Sequence, residues 1–310
     1  MGLLSTTSYR RVLEAARWAD NVGLVNFAVP DHYLDESPAG RPTLDAFAVL
    51  AGLARETAGI ELAVMLSPIT FRHPAVLAKS AVTIDRMSGG RFLLGVGTGW
   101  FELEHTVMGL ELPSLDERFD RLEDALGYLG AAFLPEPAAY AGRFYRLERH
   151  PVQPPPSRRV RLVVGGTGPI RTPRLAGLHA DELNIHSTPV AGVAARVRRA
   201  REAAAGAGRD PAGLRISYSS AVVAGRSPSE YRRRLARAAR SERVEPDRLE
   251  RRMAQRNTLH GTYGQVEEVL GLLGEAGVSR FYIQRRLDAN LDETGEILEG
   301  IGFRAGTARP

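Results

Sequence analysis

The chain has 310 residues, 44% hydrophobic and 25% charged, which is the profile of a globular protein long enough to bury a large core. It has no cysteine, which excludes disulfides and thiolate metal sites, and no apolar run reaches the ~18 residues of a membrane span. The formal net charge is +5, carried almost wholly by arginine because Lys79 is the only lysine, and the N-terminus lacks the charged and apolar segments of a signal peptide, so a cytoplasmic protein is expected.

Along the chain, helical and strand patterns alternate. Residues 2–4 are a stub of a first strand. Residues 9–22 read as a helix stopped by Gly23, and "LVNFAV" (24–29) as a strand. Residues 43–57 read as a helix with Thr43 as its N-cap. "IELAVML" (60–66) is a strand. Residues 74–87 form a helix opened by Pro74 and closed by Gly89 and Gly90. "RFLLGVG" (91–97) is a strand, and the next helix opens on a capping box, Ser114 with Glu117. Residues 134–159 hold six prolines, break the alternation and predict a surface insertion or short hairpin.

The scheme then resumes with a strand (160–166), a short helix (170–180), a strand (181–186), a helix (189–205) and a strand (214–224). Capping boxes at Ser227/Glu230 and Thr262/Gln265 open two further helices, and "RFYIQ" (280–284) is the last strand. The stretch 231–256 has ten arginines against four acids. It reads as a solvated helical face or as an electrostatic funnel for an anionic cofactor or substrate. No aromatic platform accompanies it, so nucleic acid is not expected as a partner. Seven strands plus the stub, apolar almost throughout, predict an α/β fold of the (β/α)8 TIM-barrel class with surface insertions, as one domain over 1–310.

In such barrels chemistry sits at the C-terminal strand ends. After the second strand stand Asp31 and His32, and a histidine there can pass a proton near neutral pH. After the fourth comes "GVGTGW" (95–100). It is no dinucleotide fingerprint, because Trp100 occupies the place of the third glycine. It is either a turn needing positive φ or a rim that lets a ligand approach the backbone, with Thr98 and Trp100 beside it. Gly165, Gly166 and Thr167, ahead of a helix, offer backbone N–H groups to a phosphate. Asn184 and His186 end the next strand. The seven histidines show no metal-ligand spacing, so no metal is expected.

Five blocks in order, "VPDHYL" (29–34), the run 71–100, "RFDRLEDAL" (118–126), the run 163–185 and the run 261–284, resemble the luciferase-like monooxygenase superfamily of flavin and deazaflavin oxidoreductases. The insertion followed by "GGTGPIRTPRLAGLHADE" is similar to the branch that uses coenzyme F420. The resemblance implies that Asp31 and His32 contact the deazaflavin edge, with His32 the proton donor or acceptor. It implies a bulge at Met65 and Leu66 against the ring, often with a cis peptide. Thr98, Gly99 and Trp100 would line the pocket, and Gly165, Gly166 and Thr167 would hold the phosphate.

Two departures stand out. Trp100 replaces the acid of the family's sugar-phosphate dehydrogenases, which argues against that activity. The short first strand leaves open whether the chain begins late or residues 1–5 form a reduced strand. The expected function is hydride transfer between F420 and a small organic substrate in a homodimer. Two alternatives remain: an FMN-dependent monooxygenase using reduced flavin and oxygen, and a non-catalytic flavin-binding relative.

Overall fold

A strand apolar on both faces must be covered on both, and a ring of such strands inside a shell of helices is one way to do it. The computed structural model describes residues 2–4, 8–35, 43–134, 136, 138–149, 155–286 and 290–303. Its first half holds β1 (Gly2–Leu4), α1 (Tyr9–Asn21), β2 (Asn26–Val29), α2 (Ala46–Glu56), β3 (Glu61–Pro68), α3 (Pro74–Ser88), β4 (Phe92–Gly97), α4 (Glu102–Met108) and α5 (Leu115–Ala132). A two-stranded hairpin of β5 (Tyr140–Ala141) and β6 (Arg146–Leu147) follows. The second half holds β7 (Arg161–Gly166), α6 (Arg171–His179), β8 (Glu182–His186), α7 (Val190–Gly206), β9 (Arg215–Gly225), α8 (Pro228–Glu242), α9 (Pro246–Gln255), β10 (Leu259–Thr262), α10 (Tyr263–Glu275), β11 (Arg280–Arg286) and α11 (Leu291–Gly300).

Parallel pairings run β1–β2–β3–β4–β7–β8–β9–β11 and return to β1, so eight strands close a barrel. The stub at residues 2–4 is therefore a reduced strand that completes the ring: Gly2–Leu4 pair with Gln284–Arg286, and Gly2 also pairs with Ala28. β10 lies outside the ring, paired with residues 222–225 of β9. The proline-rich insertion carries the hairpin, and the buried Asp124 carboxylate holds it by accepting from the Tyr140 hydroxyl (2.5 Å) and the N–H groups of Phe144 (2.5 Å) and Tyr145 (2.9 Å).

Period-2 alternation divides the strand side chains. Phe27, Leu62, Leu94 and Leu162 point outward and pack with Leu50, Leu77 and Leu126 of the helices. Ala28, Ala63, Leu93, Val163 and Tyr282 point inward and plug the barrel's middle. Below them the strand starts carry an ion network. Glu61 takes Arg161 (2.7 Å) and Arg280 (3.3 Å), and Arg280 also reaches Glu182 (3.1 Å). The bottom is thus sealed by paired charge and the middle by packing, and the top stays open.

Cap chemistry places most helix starts where the sequence does. Ser114, Ser227 and Thr262 each accept from the backbone N–H three residues on, and Thr262 with Gln265 completes the reciprocal box. The α2 start is a correction. Asp45, not Thr43, is the N-cap, accepting from Ala48 N, while the Thr43 hydroxyl donates to the Tyr33 carbonyl (2.9 Å). A carboxylate caps better than a hydroxyl already engaged with the preceding loop.

Gly177 of α6 lies against α7: a Cβ there would collide with the Ala200 carbonyl and stand 2.8 Å from the Ala203 Cβ. Gly177→Ala forces these helices apart. It is expected to cost about 1–3 kcal/mol, the usual penalty of overpacking, and to lower the melting temperature in calorimetry. An unchanged melting temperature would refute this packing.

Candidate active site

The open top of the barrel holds a cavity of about 910 Å³. Of the residues singled out in the sequence, His32, Met65, Leu66, Thr98, Gly99, Trp100, Gly165, Gly166 and Thr167 all line it, as do Asn184 and His186. The strand-end geometry explains the glycines. Pairing between β3 and β4 shifts between Val64 and Ser67, and the Met65–Leu66 peptide is cis. This bulge sends the Leu66 side chain under the neighbouring strands. A Cβ at Gly95 would stand 2.8 Å from it, one at Gly165 2.9 Å and one at Gly97 3.4 Å. Glycine at these positions makes room for Leu66. Gly99 and Gly166 have φ of 76° and 149°, which side-chain-bearing residues rarely adopt.

His32 stands on the cavity wall, a quarter exposed. Its Nδ1 lies 2.9 Å from Oε1 of Glu104, a carboxylate with no solvent exposure on α4. The other oxygen of Glu104 accepts from the N–H groups of Tyr33 (2.9 Å) and Leu34 (3.4 Å). A carboxylate oxygen accepts, so this pairing goes with the tautomer that carries its proton on Nδ1 and donates it to Glu104. Next to Glu104, His105 is buried too, bonded to the Thr70 hydroxyl (2.7 Å) and the Phe101 carbonyl (2.8 Å), which locks the short helix down. Trp100 presents an edge-on ring to His32 at 6.1 Å and stacks on Phe101 at 5.1 Å.

Asp31 is placed differently from the expectation. Its side chain does not line the cavity. It is buried beneath the wall, where it accepts from the Ser67 hydroxyl (2.7 Å) and pairs with Arg72, which also reaches Asp45 (2.8 Å). Burial pushes the Asp31 carboxyl up, and Arg72 and Ser67 pull it back. With His32 turned to the cavity, its neighbour turns away from it, and Arg72 supplies the charge that makes burial tolerable. Glu104 is the buried partner of His32 that sequence reading missed. "FELEH" looks like the acid-rich first turn of an ordinary helix, and nothing local shows that the second acid is buried.

The basic stretch becomes α8 and α9, which flank the cavity. Most of its arginines are exposed, as a solvated helical face, and of the four that line the cavity three are paired: Arg234 with Glu230 (2.8 Å) and Glu296 (2.5 Å), Arg237 with Glu293, and Arg252 with Glu242 (3.0 Å), so the stretch is not an open funnel.

A closed parallel barrel with a large cavity at its C-terminal mouth is the arrangement in which barrel enzymes build their sites, and here a carboxylate-held histidine stands on its wall. The chain belongs to the luciferase-like monooxygenase family, whose model matches residues 1–291. An F420-dependent glucose-6-phosphate dehydrogenase of Microbacterium testaceum (strain StLB037) is 32% identical over 164 residues, 53% of this chain and 48% of that protein. An FMNH(2)-dependent dimethylsulfone monooxygenase of Pseudomonas putida is 30% identical over 164 residues, 53% of this chain and 44% of that protein. The matches thus span about half the length of these curated relatives. Among solved structures, an F420-dependent secondary alcohol dehydrogenase in complex with an F420-acetone adduct superposes with a TM-score of 0.81 over 97% of both chains, at 19% identity. That likeness establishes the shared fold.

The Glu104–His32 bond has a direct spectroscopic consequence. In ¹⁵N histidine spectra, neutral His32 is expected as the Nδ1–H tautomer, and Glu104→Gln is expected to populate the Nε2–H form. Identical tautomer populations in the two proteins would sink the assignment.

Proposed function

We propose that the chain is an oxidoreductase that moves a hydride between coenzyme F420 and a small organic substrate, with His32 moving the accompanying proton. The observation that carries this reading is His32 on the cavity wall, oriented from behind by the fully buried Glu104. F420-dependent relatives support the choice of coenzyme. The cavity fits a flat, extended cofactor. At about 910 Å³ it has room for a ring system and a substrate, and its lining includes the Met65–Leu66 bulge and the glycine ends of β4 and β7. When bound, F420 supplies the hydride-carrying carbon.

The chain's own residues do the rest. Met65 and Leu66 back the ring, with Thr98, Gly99 and Trp100 beside it. Gly165, Gly166 and Thr167 hold the phosphate through backbone N–H groups. Asp31 works from behind the wall: with Ser67 and Arg72 it fixes the turn that presents His32. Trp100 caps the mouth with an apolar ring and helps exclude water. The dimethylsulfone monooxygenase relative keeps an FMN-dependent reading in view. A cytoplasmic homodimer belongs to the same proposal, and light scattering checks its oligomeric half.

Fluorescence titration separates the two cofactors. F420 is expected to bind at low micromolar concentration or below and FMN far more weakly. Tighter FMN binding would overturn the reading in favour of a monooxygenase. With F420 saturating, His32→Ala is expected to lower kcat by roughly 10²–10⁴-fold, the worth of one general acid or base, with coenzyme affinity within a few-fold of wild type. A wild-type rate in that variant would make His32 a binding residue only.

A further inference from the structure

Five arginines line the cavity: Arg234, Arg237, Arg252, Arg256 and Arg285. Four are neutralised by Glu230, Glu242, Glu293 and Glu296. Arg256 is the exception. The residue is exposed, and its side chain makes no hydrogen bond or ion pair with any of the described residues. An arginine without an acid, in a cavity where every other arginine has one, leaves a positive charge for a ligand to meet.

Arg256 is not on a loose surface segment. It caps the C-terminus of α9 and begins the turn 256–258, which is held by the loop after β8 and by the middle of β9. The hydroxyl of the buried Tyr218 lies 2.9 Å from the Thr188 carbonyl and 3.2 Å from that of Asn257. The Asn257 amide donates to the Ser187 carbonyl (3.4 Å), and the Ser220 hydroxyl accepts from Leu259 N (3.0 Å). Ser187 and Asn257 have φ of 49° and 51°, and among the described residues only Arg243 joins them as a non-glycine with positive φ. Such backbone persists where the surroundings over-determine it, and it gathers at ligand clamps. Here both residues flank one corner.

His186 completes the corner. It ends β8, lines the cavity and is half-buried, and its ring has no hydrogen-bond partner among the described residues. Burial and the neighbouring Arg256 push its imidazolium down, so near neutral pH the ring is an uncharged donor beside a fixed cation.

We propose that Arg256 and His186, set by the locked turn 256–258, form a subsite for an anionic oxygen group, a carboxylate or a phosphate, brought into the cavity by the substrate or by the coenzyme. A guanidinium matches either oxyanion bidentately, and the neutral imidazole adds one further donor. This deepens the proposed function and rests on it for the role of the cavity, but not for the binding event itself.

The test uses the full chain without coenzyme, titrated with inorganic phosphate at constant ionic strength. The ring resonances of labelled histidine report binding, with His186 assigned from a His186→Gln variant. A saturable His186 shift is expected in the wild type, weakened about 10-fold or more in Arg256→Gln, the scale of a lost charge-assisted bond, and partly restored in Arg256→Lys. Repeating the titration on the F420 complex separates the sources. A surviving shift assigns the corner to the substrate, and competition by F420 assigns it to the coenzyme's own anionic groups. The absence of a saturable His186 shift in wild type, or an equal response in Arg256→Gln, overturns the subsite. Failure of wild type to bind F420 overturns the proposed function and leaves the phosphate result standing.

Discussion

Ring closure is the constraint on which the mouth of the barrel depends. Three residues, Gly2–Leu4, pair with β11 on one side and Gly2 with β2 on the other, and without them the sheet has two free edges. Closure fixes the tilt and stagger of every strand, and therefore which residue of each comes last before its loop. The ion network of Glu61, Arg161, Arg280 and Glu182 holds the opposite rim, where no ligand is expected. The bottom is thus closed by paired charge, and the top carries the positive-φ residues and the cavity.

Much of this architecture was readable in the sequence because it follows from local chemistry. Strand patterns, capping boxes and glycine stops are written in windows of a dozen residues, and the seven long strands and the box at Thr262 stand where those windows put them. The short elements α4, β10 and α11 were not foreseen. Seven residues of "ELEHTVM" or four of "LHGT" carry too little periodicity to stand out, and they are held by tertiary contacts instead.

The site divides the same way. Positions given by a strand end, such as His32, Gly165 and Thr98, were found because the barrel dictates that strand ends face the cavity. What was missed depends on partners distant in sequence. Asp31 turns away because Arg72, 41 residues on, is there to meet it, and Glu104 matters because His32 lies 72 residues before it. No local pattern encodes either pairing. The arginine-rich stretch is a third case, since its charge was plain in the sequence but the glutamates that pair its cavity-lining arginines come partly from α11.

The bond between His32 and Glu104 joins the loop after β2 to the helix after β4. In a (β/α)8 barrel each loop at the mouth is ordinarily a replaceable module, free to lengthen or change without disturbing its neighbours. Here two of them share one carboxylate, which binds the histidine ring and two backbone N–H groups of the first loop at once. They therefore form one unit of inheritance. A chimera that grafts either loop from a relative without the other leaves a buried acid without its donors, or a histidine without its support. The remaining loops, among them the end of β8 and the turn after α9, can be rewritten while the histidine–carboxylate pair stays intact.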